Sequence, residues 1–466
     1  MSFEGRVAAP IHMNARSNAL TRLLCNLGCL FCLAACIKEQ SVLERKRATS
    51  PTDIDFAAAG SGAPDRPRAA PPNVSAGSTG DIPPFVAQGS PIQPIPSGRP
   101  IDLLFVVDDS SSMEREQAAL RGQIPAMIQA ITTGVLNGRS TAPIPDVQIG
   151  VVSADLGVAG VETGWPGCSP YGGDDGVFQH AGSTAPGCKA AYPPFLGFAL
   201  GRDDPEQLAA DFACMADLGF QGCVVKQPLE AALKALWPKS YTDAAGSTYA
   251  PEQNPVQFLS TSDERRFGHG DSSPNVGFLR NDTRIGPTTL AIVLITDSDD
   301  CSVRDTAGFQ PSSDPANDVG PNVRCYHNKD NLFDLVRYAT GYPLLKQDDE
   351  SSVFFGAIVG VPADLVTADE RAKIDWSDTS ATDAYYEALL SDPRMQERPM
   401  NEATPSIAHL APSCTRNDGA RADAYPPRRI VEVAKAFGSR GIVQSICQDD
   451  FTPIVGAILE RARSRP

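Results

Sequence analysis

A chain of 466 residues with a formal charge of −16 at pH 7 is acidic enough to repel nucleic acid, and it carries no basic stripe or aromatic stacking platform. Its 42% apolar content is ample for a packed core. The length allows up to about three average domains, or one enlarged α/β domain with tails.

Arg16 and Arg22 precede the apolar run LLCNLGCLFCLAAC (23–36), which has the charged start, short apolar stretch and small-residue exit of a secretory signal. The run is too short to span a bilayer comfortably. Its end, Leu33-Ala34-Ala35-Cys36, resembles the lipobox of bacterial lipoproteins. The resemblance implies that residues 1–35 are removed, that the Cys36 thiol is diacylated, and that acyl chains anchor the protein in a membrane. Ile37, in place of Asp after the lipidated cysteine, points to the outer membrane by the enterobacterial sorting pattern. A competing reading of Cys25, Cys29, Cys32 and Cys36 is a metal cluster, but no second pair follows at zinc spacing. Residues 36–98 are dense in Pro, Ala, Gly and Ser and poor in large apolar side chains, so they read as a disordered tether.

Residues 99–466 alternate strands with helices. IDLLFVV (101–107), VQIGVVSA (147–154), TLAIVLIT (289–296) and SVFFGAIVGV (352–361) are near-continuous apolar runs, as expected of parallel strands covered on both faces. Helical spacing marks 114–132. The order Asp204-Pro205-Glu206-Gln207 gives an acidic N-cap, proline at the first position and glutamine three residues after the cap, with Gly219 able to end that helix. Further helices are expected over 227–237, 427–437 and 450–463. The pattern predicts an α/β fold, a doubly wound, mostly parallel sheet flanked by helices, in a single enlarged domain with long disulfide-stabilised loops. The excess length falls in insertions near 156–202, 238–284 and 362–426, rich in Gly, Pro, Asp and Ser.

Eight cysteines lie beyond the signal: Cys168, Cys188, Cys214, Cys223, Cys301, Cys325, Cys414 and Cys447. An even number in an exported chain predicts disulfides. Nearest-neighbour pairing (168 with 188, 214 with 223, 301 with 325, 414 with 447) closes the shortest loops.

Ligands of a doubly wound sheet bind at the carboxyl ends of its strands. Asp108 is the first polar residue after the 101–107 strand, and Ser110 and Ser112 follow at alternate positions. Asp297 stands at the same end of another strand. Two carboxylates and two hydroxyls make a hard, oxygen-only set suited to Mg2+ or Ca2+. The bland reading is that Asp108 and Ser110 cap the next helix. Asp299 and Asp300 read as turn-forming or capping acids, with a second ion as the alternative; Asp109 is expected to face solvent, and GGDDG (172–176) reads as a polar turn.

Asp108-x-Ser110-x-Ser112 after an apolar strand, with Met113 following and Asp297 in LITDSDD, resembles the metal-ion-dependent adhesion site of the von Willebrand factor A (vWA) domain. With the lipobox and tether, the chain is similar to the vWA-containing lipoproteins of myxobacteria and their relatives. The resemblance implies one Mg2+ (or Ca2+ or Mn2+), held directly by Ser110 and Ser112 and through water by Asp108 and Asp297. It also implies an acidic residue of a protein partner completing the shell. In one respect the sequence departs from the family. GCVVKQPLEAAL (222–233) puts Cys223 where the family has a threonine ligand, so water, a backbone carbonyl or Gln227 would have to fill that place.

An enzyme is the rival class. The five histidines are scattered, and there is no GxSxG elbow, GxxxxGK loop or GxGxxG after a strand. The expectation is a non-enzymatic, lipid-anchored envelope protein that binds a protein partner through a divalent cation, with a metal-free scaffold as the alternative.

Overall fold

Ile101–Val107 form β1, a central strand of a six-stranded sheet, and all seven residues are buried, Asp102 included. The other strands are β2 (Asp146–Ser153), β3 (Leu196–Ala199), β4 (Thr289–Ile295), β5 (Val353–Val359) and β6 (Gly441–Ser445). They lie in the order β3-β2-β1-β4-β5-β6. β1 pairs in parallel with β2 and β4, setting Leu104 beside Gly150 and Ile292; only β3 is antiparallel. The computed structural model describes residues 99–463, except 137–138, 141, 282–286, 314–317, 348 and 418–420. The signal, Cys36 and the 36–98 tether lie outside the described residues.

The period of two along β1 divides its side chains between the faces. Ile101, Leu103, Phe105 and Val107 join the core beneath α1 (Glu114–Thr133), α2 (Pro205–Met215) and α8 (Thr452–Arg463). Leu104 and Val106 join the core beneath α3 (Pro228–Leu236), α5 (Val336–Leu344), α6 (Thr379–Ser391) and α7 (Arg428–Ala436). A short helix, α4 (Pro321–His327), packs Val323 into a satellite cluster with Ala408 and Leu410. Burying one large side chain such as Phe105 or Ile292 contributes about 1.5–3 kcal/mol. Two-sided burial explains why these strands lack the polar alternation of a half-exposed sheet. Among the described residues no helix is long and apolar enough to cross a membrane.

Several expectations need correction. The disulfides are Cys168–Cys223, Cys188–Cys214, Cys301–Cys325 and Cys414–Cys447, so the first two neighbour pairings are exchanged. Sequence proximity loses here to a close approach of two loops: a Cβ on Gly167, whose φ is +72°, would lie 2.2 Å from the Gly222 carbonyl oxygen. That contact brings Cys168 to Cys223 and leaves Cys188 for the end of α2. Four disulfides are the usage of an exported chain. Asp204 caps α2 as expected, its carboxylate accepting from the Glu206 amide, but α2 stops at Met215 and Gly219 lies in the following loop. β3 sits inside the 156–202 stretch, and β6 follows α7; neither was foreseen.

Candidate functional site

In the order β3-β2-β1-β4-β5-β6 the direction of winding reverses between β1 and β4, and both strands end at the same edge. Asp108 follows β1 and Asp297 follows β4 by one residue. Both carboxylates are buried, each about 1% exposed. Asp108 does not cap α1. Its Oδ1 accepts from the Ser110 amide at 2.9 Å and its Oδ2 from the Thr296 hydroxyl at 2.6 Å, which ties the two strand ends together. No side chain caps α1, whose N-cap is Met113, nor does Ser110 cap the turn 111–113. Instead Ser110 Oγ lies 3.2 Å from Ser112 Oγ. Gln117, on the first turn of α1, donates from Nε2 to the carbonyls of Asp108 at 2.9 Å and Gly219 at 2.7 Å, fixing the loop from behind.

Lys226 stands at the centre of this group. Its ammonium lies 2.8 Å from Asp297 Oδ1, 2.7 Å from Ser298 Oγ, 3.3 Å from Ser112 Oγ and 3.8 Å from Asp108 Oδ2. Its side chain is only 11% exposed. The sequence placed Asp108, Ser112 and Asp297 together and Ser110 beside them. It missed Lys226, Thr296, Ser298 and Gln117. One signal was present: a cation directly before a helix start opposes the helix dipole and calls for a nearby anion.

The loop that carries Lys226 is held on both sides. Cys223 is in the disulfide with Cys168, so it is no ligand. Gln227 is not one either, because its Nε2 donates to Gly157 O at 2.7 Å and its Oε1 accepts from Val303 N at 2.9 Å. The Lys226 carbonyl accepts from Cys301 N at 2.8 Å.

Charge divides unequally between the two carboxylates. Burial pushes both upward. At Asp297 the Lys226 ammonium and hydrogen bonds from Lys226, Ser112 and Ser298 overcome it and hold the carboxyl below its usual value. At Asp108 burial prevails over Lys226, and the Asp297 charge adds to the rise. Burial lowers Lys226, but Asp297 and Asp108 raise it above the ordinary lysine range. An ammonium therefore fits these oxygens. A divalent cation bound directly by the same oxygens does not fit with Lys226 in place, since two cations would share contact distance in a buried site.

The acids around this centre have separate duties. Asp109 was expected in solvent but is 8% exposed; burial, then Asp155, Asp108 and Asp174, push it up to about 8. Asp299 accepts from the Arg429 amide at 3.0 Å at the start of α7, and Asp300 from the Leu229 amide at 3.1 Å at the start of α3, as capping acids do. The 172–176 stretch is a turn with Asp175 at φ +62°, its carboxylate paired with Lys234 and His269. Among the described residues no group of three or more His, Cys, Asp or Glu is placed to hold a metal. A cavity of about 450 Å³ opens beside Ser112, Lys226 and Ser298, with the Cys301–Cys325 disulfide, Tyr326 and Tyr425 in its wall.

No family model matches the chain, and no curated protein matches it. Among solved structures, the chain is similar to the pilus adhesin SpaC from Lactobacillus rhamnosus GG in its open conformation. The two are 15% identical over 56% of this chain and 24% of that one, with a TM-score of 0.25, so the chain spans about a quarter of that protein's length.

Proposed function

We propose that this chain is a lipid-anchored envelope protein whose α/β domain, of vWA type, is a non-catalytic module that binds a protein partner at the carboxyl edge of its sheet. The observation that carries this reading is the convergence of Asp108, Ser110, Ser112 and Asp297 on one point where the strand order reverses, beside a cavity large enough for partner side chains. The anchor at Cys36 and the 36–98 tether would hold that edge away from the membrane surface. Cation-dependent capture of an acidic partner residue is the form the family resemblance implies. Lys226 favours a metal-free form of the same module.

Photo-crosslinking in intact cells tests the reading. A crosslinking side chain at Ser112, which is exposed at the site, should trap one discrete partner. The same group at Lys239, exposed at the opposite edge, should not. Ser298→Trp, which fills the cavity mouth, should cut the adduct by about tenfold or more. Equal adducts from both positions, or an adduct indifferent to the tryptophan, would remove the carboxyl edge as the binding surface.

A further inference from the structure

A buried carboxylate pair that keeps a negative charge calls for a cation. A charged carboxylate of this buried pair left without one would be uncompensated, so a positive group has to come either from solution or from the chain. Here the chain supplies it. We propose that Lys226 is a resident cation that takes the place of the divalent ion, so that the site works without metal and without a partner carboxylate to complete a coordination shell. The inference deepens the binding-module reading and rests on it only for the site's use, not for its occupancy.

Two observations carry it. The first is geometry. An ammonium has three protons, and Asp297 Oδ1, Ser298 Oγ and Ser112 Oγ lie within 3.3 Å to receive them. Three of the oxygens around Lys226 belong to the residues that the motif reserves for an ion, namely Asp108, Ser112 and Asp297. The second is placement. A lysine on a loose loop could swing out and admit an ion, but this one is gripped. Cys223 is cross-linked to Cys168, the Val225 amide donates to Cys223 Sγ at 3.3 Å, and the Gln227 amide donates to Ala154 O at 2.9 Å. The Gln227 side chain bonds at both ends, and α3 begins at the next residue. The same disulfide that removes Cys223 from the ligand set therefore anchors the loop that carries Lys226 to Asp297.

The test uses the oxidised full chain and Mn2+, read by the loss of its free-ion paramagnetic resonance signal. Wild type should take up no Mn2+ to about 1 mM, the weak limit for oxygen-ligand sites. Lys226→Met should gain one Mn2+ per chain, and Lys226→Met with Asp297→Asn should lose it again. Wild-type uptake that Asp297→Asn abolishes would overturn the inference, as would a folded Lys226→Met chain that stays silent. If Lys226→Met does not fold, the wild type alone decides: acylation of Lys226 by an amine-reactive ester, followed by mass spectrometry, should be unchanged by saturating Mg2+. A several-fold rise with Mg2+ would mean that the ion expels the lysine, and would overturn the inference. These readouts do not involve the partner. Failure of the crosslinking experiment would leave them intact, and wild-type Mn2+ uptake would leave the binding edge in place as a cation-dependent one.

Discussion

Asp109 shows what the carboxyl edge costs at the level of one side chain. It is buried next to Asp108, and its amide neighbour across the loop is Gly222, which donates to the Asp109 carbonyl at 2.8 Å. Gly222 has to be glycine for this packing: an added Cβ would lie 2.1 Å from Asp109 Oδ1. Burial, with the charges of Asp155, Asp108 and Asp174, brings the folded carboxyl to about 8, against about 3.9 in the unfolded chain. The sign follows from linkage. Between those values the native state holds a proton that the unfolded state has released, so the contribution is full below about pH 4 and is lost as pH rises through about 8. Asp109→Asn keeps the shape and removes the titration. The variant should match wild type at pH 4 and exceed it at pH 8, by on the order of 5 kcal/mol at about 1.4 kcal/mol per unit. Denaturant melts at the two pH values measure this. Parallel profiles would mean that Asp109 ionises as an exposed acid does.

At the scale of elements, α3 and α5 are joined by ionic as well as apolar contacts. Arg337 grips Glu230 through two hydrogen bonds of 2.8 Å, and the Tyr338 hydroxyl donates to the same carboxylate at 2.9 Å. Glu230 is 2% exposed, so removing its partner strands a buried charge. Arg337→Ala should lose about 3–5 kcal/mol in urea melts, while the double change Glu230→Met with Arg337→Met should recover most of the loss. Equal losses in the single and double variants would show that packing, not charge pairing, is what Arg337 supplies. The sequence disclosed strands in proportion to the length of their apolar runs. β1, β2, β4 and β5 are long apolar runs and were legible. β3 and β6 are the short edge strands; Gly197 is exposed in one, and the other ends on the buried polar pair Gln444 and Ser445, so neither has a distinctive apolar period. Within the site, Asp108, Ser110, Ser112 and Asp297 were legible because each follows a strand end or an alternating pattern. Lys226 was not. Its contact with Asp297 spans 71 residues, and only the docking of the loop before α3 brings the two together.

Across the molecule, the disulfides join insertions to the segments that surround the site. Cys223 precedes α3, Cys301 follows β4 and Cys447 follows β6. Their partners lie in the 156–202 stretch, α4 and the 362–426 stretch. The Cys168–Cys223 bridge has the widest separation, 55 residues, and closes it directly ahead of Lys226. By loop-closure entropy, Cys168→Ser with Cys223→Ser should lower stability by about 4 kcal/mol. A purely entropic bridge would do no more than that. If it also aims the lysine, the double variant should acylate at Lys226 faster than wild type even at temperatures well below its melting point, because the loop then keeps only hydrogen bonds, among them those of Gln227, the Lys226 carbonyl and the Gly222 amide. Thermal melts and site-resolved labelling separate the two effects. A lower melting temperature with unchanged labelling would assign the bridge to stability only. A change in both would make the bridge part of the site, since what holds the loop would then also hold the charge.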